Sequence, residues 1–407
     1  MANLIGASAG AGRPALAIFP WGDVIEDFLD PIGLDARAFA EDMTGGWLFG
    51  YVAALQEAGW RSVIVCASRH AAQPERLEHK ATGAPIWLVP GATPSKSGWP
   101  SMLSLRRWAA MPLAAFADVL RTEACQAVLV QEYEDPRFDR LVRLGGRLGL
   151  PVYATFQGGD QTLSKLEGIV RPSSLKRAAG LIIASGAERQ RVNQSYAGAL
   201  PPIVAIPNPL DCALWRPKDQ AEARRTLGLD PDGFIAINHG RIDVKRKGLD
   251  ILLRAWRHCG DAQLRLIGSG QDNSLLAELI SDARLDNVHW QSQYSTDRDK
   301  MRTWLSAADI YVTASRVEGM PVAPLEAMAC GLPVVATDAQ GLPEILEQGE
   351  ESGGIIIQQE DAGQLAEAVN RMRDPHLRAR LAANARRRAE QGFSIDTVGR
   401  QLKALLG

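Results

Sequence analysis

Short apolar runs and helically spaced apolar positions alternate along almost the whole chain. Runs at residues 15–19, 63–67, 86–89, 127–131, 151–156, 181–185 and 203–206 read as strands in the first half. Residues 234–238, 263–267, 287–291, 310–314, 334–337 and 354–357 repeat the pattern in the second half. Between them lie helical spacings, such as Leu48, Val52 and Leu55 after Gly46, and the stretch SMLSLRRWAAMPLAAFADVLR, which the spacing predicts as one helix. Strand and helix in alternation predict an α/β chain with two doubly wound parallel sheets facing a cleft. The expected organisation is a flexible tail at 1–13, a first Rossmann-like domain at 14–207, a second at 208–388, and a segment at 389–407 carrying the last helix.

Composition narrows this only a little. The 407 residues are 46% hydrophobic and 23% charged, which suits two globular domains of about 200 residues. A net charge of −2 provides no field to hold nucleic acid. No run of 18 uncharged apolar residues occurs, and MANLIGASAGAGRP lacks the regions of a signal peptide, so the expectation is a cytoplasmic protein. GASAGAG lacks the preceding strand and the Lys-Ser/Thr ending of a phosphate loop. Five dispersed cysteines without ligand spacing predict reduced, packed thiols and no metal site.

Chemistry concentrates in ADIYVTASRVEGMPVAPLEAMACGLPVVATDAQGLPEIL, residues 308–346. Here a strand, a polar loop, a short helix closed by Gly331 and Pro333, and a second strand form one β-α-β unit. Glu318 lies before the helix and Glu326 about two turns inside it. Backbone around Gly319, Met320, Pro321 and Val322, at the positive end of the helix, attracts a phosphate, while the two carboxylates accept hydrogen bonds from hydroxyls. An anion beside several hydroxyls describes a sugar nucleotide. A lone E-x7-E is more often a solvated acidic pair; here its flanking strands and turns extend the pattern over nearly forty residues.

Other stretches converge on the same ligand. Arg241 follows the 234–238 strand and Lys247 precedes a glycine that opens the next helix, so two cations are placed to meet a diphosphate. Lys245 and Arg246 are expected to be solvated. Gly45 and Gly46 start a helix where a diphosphate can approach the backbone. Gly268 opens GSGQDN, a close turn suited to lie under a nucleotide, and Gly341 to Glu344 offers a backbone nest for a phosphate. Asp297 and Asp299 spell D-x-D but begin a helix, where acidic residues are expected anyway. EYEDP, residues 132–136, reads as a solvated loop as readily as a catalytic or metal site. The helix bearing Arg106, Arg107 and Trp108 is expected to pack on its own domain, with an anionic membrane surface as the alternative. Arg378, Arg380, Arg386, Arg387 and Arg388 read as a solvated, ion-paired helix face.

EGMPVAPLE and the following GLP turn resemble the donor site of the family 4 retaining glycosyltransferases of the GT-B fold, and the resemblance covers nearly all of the second half and the first half thinly. It implies a metal-independent transfer of a hexose-type sugar, with retention, from a nucleotide-sugar to a saccharide, lipid-linked or small-molecule acceptor. Arg241 and Lys247 then contact the donor phosphates, Glu326 the ribose and Glu318 the sugar, with no enzymic general base. Gly45 and Gly46 resemble the family's glycine loop. Gln157 stands where many members carry a histidine, Pro209 in IPNPLD replaces a hinge glycine, and WQSQ lacks the glycine usual at the base site. The last helix is expected to cross back onto the first domain. Two other classes remain: an inactive GT-B partner subunit, which the Gln157 exchange suits, and a nucleotide-sugar hydrolase or epimerase using Asp160 or Glu134.

Overall fold

A parallel strand covered on both faces must be apolar on both, and ALAIF meets that requirement as the wholly buried β1 (Ala15–Phe19). The computed structural model describes residues 12–43, 46–93, 99–159, 163–293 and 297–407. In the first half β1 is followed by β2 (Arg61–Ser68), β3 (Glu75–Glu78), β4 (Pro85–Pro90), β5 (Cys125–Val130), β6 (Val152–Thr155), β7 (Gly180–Ile182) and β8 (Ile203–Val204). They form an eight-stranded sheet in the order β3-β4-β2-β1-β5-β6-β7-β8. All neighbours are parallel except β3 and β4. The polar edge strand β3, ERLE, has no apolar periodicity, and sequence reasoning passes over it.

The second half supplies β9 (Ile235–His239), β10 (Gln263–Ile267), β11 (Val288–Gln291), β12 (Ile310–Thr313), β13 (Val334–Thr337) and β14 (Gly354–Ile357). These make a six-stranded, all-parallel sheet in the order β11-β10-β9-β12-β13-β14. Each sheet is sandwiched. Ala15, Ala17 and Phe19 enter one core while Leu16 and Ile18 enter another, and Ile235 and Ile237 are separated from Ala236 in the same way.

The stretch read as a single helix is two, Pro100–Ala110 and Leu113–Thr122. Pro112 has no N–H for the helical ladder and forces Met111 to an extended ψ of 125°. Of the cations near its start, Arg107 holds Asp23 and Asp135 and the Trp108 indole donates to the Pro136 carbonyl at 2.7 Å. Both therefore fix this helix to its own half.

Two strands of chain cross between the halves. Leu210 N–H donates to Phe393 O, Ile395 N–H donates to Leu210 O, and Leu210 bridges Ser394 in parallel. The basic helix Pro375–Phe393 stays with the second core through Ala385, Ala389 and Phe393. Helix Ile395–Leu406 then crosses over, placing Val398 and Leu402 in the core of the first half against helix Gly46–Glu57. Arg386 departs from the expected solvated face: its guanidinium donates to the carbonyls of Cys212, Trp215 and Ala329, so it clamps the crossing.

Beside that crossing the Asn208 amide joins the halves. It exchanges two hydrogen bonds with the Gln157 amide, at 2.9 and 3.0 Å, and donates a third to Met320 O at 2.7 Å. Asn208→Ala leaves the Gln157 amide and a buried carbonyl without these partners, and is expected to lower stability by about 1–3 kcal/mol, read as a lower urea midpoint.

Candidate functional site

In an open parallel sheet, the carboxyl ends of two neighbouring strands gape apart where the strand order reverses. The first sheet reverses between β1 and β5 and the second between β9 and β12. The fold turns these two crevices toward each other. Trp21, beyond β1, and Glu132, beyond β5, thus share a cavity of about 430 Å³ with Arg241, beyond β9, and Glu318, beyond β12. An adjoining cavity of about 360 Å³ lies along the second half, where Arg241, Lys247, Gly268 and Glu326 line it.

Short local structures aim the cations. Lys247 ends the helix Val244–Lys247, which Asp243 caps by accepting the Arg246 N–H and which Gly248 closes in the left-handed conformation. Its ammonium reaches Glu318 Oε1 at 2.6 Å, and that oxygen also accepts from Ser315 Oγ at 2.7 Å. Glu318 Oε2 makes no hydrogen bond among the described residues. Arg241 is exposed and lines both cavities. Arg246, expected in solvent, instead reaches across the cleft and donates to Gly158 O at 3.0 Å. A local charge run does not reveal that a cation has a partner 88 positions away.

Helix Val322–Ala329 opens into both cavities at Val322, with Pro321 as an extended N-cap. Glu326, in its second turn, accepts from His239 Nε2 at 2.8 Å, and Tyr311 meets the imidazole edge-on with ring centroids 5.6 Å apart. His239 was missed although it directly precedes the Gly240-Arg241 pair; it fixes where Glu326 points. Arg298 was also missed. It lines the second cavity, where burial lowers its pKa and Glu326 and Asp211 oppose the shift. Asp297, the first acid of D-x-D, accepts from the Lys300 N–H as a helix cap.

Glycines set how closely the backbones meet. Gly268 has φ +148°, and a Cβ there would overlap Gly240 O, so the turn under the second cavity requires glycine. Gly319 packs directly on the Gln157–Gly158 backbone from the opposite half, and a Cβ on Gly158 would stand 2.6 Å from Gly319 N. Gly46 lines both cavities at the start of its helix, whereas Gly45 and Asp160 lie outside the described residues. Gly341 is not an open nest: Glu344 accepts its N–H and also that of Gly186. Gln157 lines the cavity, and its amide exchanges two hydrogen bonds with the Asn208 amide, which orient it there.

The opposite wall differs from expectation. EYEDP is buried, with Glu132 only 2% exposed. Glu132 adopts φ +69° and its carboxylate accepts from the N–H groups of Gln157 at 3.1 Å, Gly159 at 3.0 Å and Glu134 at 3.2 Å. It thereby holds the loop that touches Gly319. Burial pushes its carboxyl up to about 8; the Gln157 N–H opposes and the neighbouring Glu134 adds to the rise. Glu134 is itself pushed up to about 7 by burial, against its ion pair with Arg191. An acidic residue ending a buried strand was the available signal, but only the fold shows that water is excluded there.

The family model described as Glycosyl transferases group 1 matches residues 219–388. A GDP-mannose-dependent monoacylated alpha-(1-6)-phosphatidylinositol monomannoside mannosyltransferase of Corynebacterium glutamicum is 32% identical over 229 residues, 52% of this chain and 58% of that protein. The chain thus spans less than two thirds of this relative's length. A D-inositol 3-phosphate glycosyltransferase of Frankia alni is 30% identical over 325 residues, covering 71% of this chain and 77% of that protein. Among solved structures, sucrose-phosphate synthase from Thermosynechococcus elongatus superposes with a TM-score of 0.76 at 22% identity, over 97% of this chain and 98% of that one. The last likeness is one of fold.

Glu132 leads to a pH prediction. Its carboxyl is raised from 4.5 to about 8, so between those values the folded protein holds a proton that the unfolded chain has released. Stability should therefore fall as pH rises through that window, and Glu132→Gln should flatten the fall. Urea unfolding at about pH 5 and about pH 8 measures both slopes; equal slopes in the two proteins would refute the assignment.

Proposed function

The chain belongs to the group 1 glycosyl transferases, family 4 of the GT-B fold, and we propose that it transfers a hexose-type sugar from a nucleotide-sugar to an acceptor hydroxyl with retention of configuration. The observation that carries this reading is the convergence of Arg241, Lys247 and the start of helix Val322–Ala329 on adjoining cavities that also expose Glu318 and Glu326.

In the proposed mechanism the donor diphosphate lies between Arg241 and Lys247. As the glycosidic bond breaks, charge grows on the leaving phosphate, and two cations plus the positive helix end stabilise that charge more than they stabilise the bound donor. The Lys247–Glu318 pair keeps the ammonium aimed before the phosphate arrives. Glu326, oriented by His239, accepts from the ribose hydroxyls, and Glu318 Oε2 accepts from the sugar. The acceptor attacks from the face that the nucleotide leaves, and the departing phosphate takes its proton. These groups perform the charge neutralisation a metal would supply, so the reaction is expected to be metal-independent. Saccharide, lipid-linked and small-molecule acceptors all fit this chemistry, and a cytoplasmic site of action suits a nucleotide-sugar donor.

Glu132 favours a second reading. A carboxyl that burial keeps protonated toward neutrality at the cavity wall is a candidate acid for donor hydrolysis or epimerisation. Incubating the donor with and without acceptor separates the readings, because transfer yields a glycoside, hydrolysis free sugar, and epimerisation an isomer of the donor.

Calorimetric titration with UDP, GDP and ADP in EDTA is expected to show one nucleotide binding the wild type and failing to bind Lys247→Ala. Removing either cation should cost about 2–4 kcal/mol of transition-state stabilisation, seen as a loss in kcat/KM of about 30- to 1,000-fold. Wild-type protein that binds none of the three nucleotides, or binds only when metal is added, would overturn the donor-site assignment.

A further inference from the structure

Large apolar side chains are exposed at only six described positions, Trp21, Trp99, Met102, Leu105, Ile169 and Leu275. Four of the six belong to two helices that touch. Trp99 caps helix Pro100–Ala110, which carries Met102 and Leu105, and Ile169 lies on helix Lys165–Arg177. Ser104 Oγ joins the helices by bonding Ser164 Oγ at 2.9 Å and Glu167 Oε2 at 2.7 Å. The most outward of these side chains are Trp99, 82% exposed, and Ile169, 76% exposed. Neither contributes to the cores of the first half.

The charge around them is one-sided. A third helix, Arg137–Leu148, packs against both. Across the outer sides of the three lie the exposed cations Arg143, Arg147, Lys165, Lys176 and Arg177. Half-buried Arg140 is close enough to Arg143 and Arg147 that their charges lower its pKa further after burial has done so. The acidic residues of these helices face inward: Asp139 is buried on Arg171, and Glu167 is buried at its capping box. A protein of net charge −2 thus presents one face of exposed aromatic and aliphatic groups among cations without an outward acidic counterpart on the same helices. Solvent alone gives no reason to expose Trp99 and Ile169 there.

We propose that this face docks the protein on the surface of a membrane containing anionic phospholipid, with Trp99, Met102, Leu105 and Ile169 at the acyl boundary and the surrounding cations on the headgroups. No helix of the described residues is long and apolar enough to cross a membrane, so the contact is peripheral. The sequence had offered Arg106, Arg107 and Trp108 for such a role. Structure takes Arg107 and Trp108 away from it, because they tie the same helix to Asp23, Asp135 and Pro136. Those ties join the docking face to the cavity wall, since Asp23 follows Trp21 and Asp135 follows Glu132. The inference goes beyond sugar transfer and stands without it.

Flotation of the full chain with vesicles tests the proposal. Wild type is expected to float with phosphatidylcholine vesicles containing about 30% phosphatidylglycerol, to stay behind with phosphatidylcholine alone, and to be released by salt. Each exposed cation is expected to contribute about fivefold, so the triple variant Arg143→Gln, Arg147→Gln, Lys176→Gln should bind about a hundredfold more weakly. Trp99→Ser with Ile169→Ser should also detach the protein, while both variants keep wild-type circular dichroism and bind nucleotide in solution as wild type does. Wild type that does not float, or variants that float equally well, would overturn the proposal. So would sedimentation showing that wild type self-associates through this face and that Trp99→Ser with Ile169→Ser dissolves the oligomer without changing flotation.

Discussion

The two halves meet backbone to backbone at Gly158 and Gly319, and the Asn208 amide holds them there. Every hydrogen-bonding atom of that amide finds a partner at a position 2% exposed, in Gln157 from the first half or Met320 from the second. A buried amide is strongly penalised when any bond is lost, so the contact acts as a unit. It fixes the separation of the facing crevices and hence what spans them. Arg246 reaches Gly158 O only at that separation, and Glu132 grips Gln157 and Gly159 from behind. The loop bearing Gly158 is therefore held from both halves at once.

Around this contact several charged groups are paired before a ligand arrives. Glu318 holds Lys247, and His239 holds Glu326. In the first half, Arg107 joins Asp23 to Asp135, and Arg171, fully buried, answers Asp139. Buried pairs of this kind add little net stability, because desolvating both charges offsets their attraction. They fix position instead. Removing one member strands the other, so the walls of the cleft have few alternative arrangements.

The second half was the more legible in sequence, and the reason is physical. Strands such as VVAT and QLRLI sit inside an all-parallel sheet, carry short apolar stretches, and are bounded by Pro333 before the one and Gly268 after the other. Arg241, Lys247, Glu318 and Glu326 were readable because each lies within a few residues of a strand or helix end. What escaped depends on distant partners. Gln157 gives no local sign that Asn208, 51 positions on, exchanges hydrogen bonds with its amide. Arg246 resembles its solvated neighbour Lys245, and the acids of EYEDP resemble a surface loop until the sheet buries them. Pro112 is a different case: the break was visible locally, but the apolar spacing on either side outweighed it.

The Leu210–Ser394 bridge also bears on how the molecule is assembled. The chain leaves the first body near residue 210 and returns near residue 394 at the same spot, so the second body is topologically an insertion whose two ends are already paired. Helix Ile395–Leu406 belongs to the first body's core yet is made last. Bringing it to helix Gly46–Glu57 through an unfolded insert would close a very long loop, at a steep cost in chain entropy. Once the insert has folded and joined its own ends, the remaining span is short. The fold thus favours an order of events in which the inserted body forms independently and, by forming, delivers the segment that completes the body surrounding it.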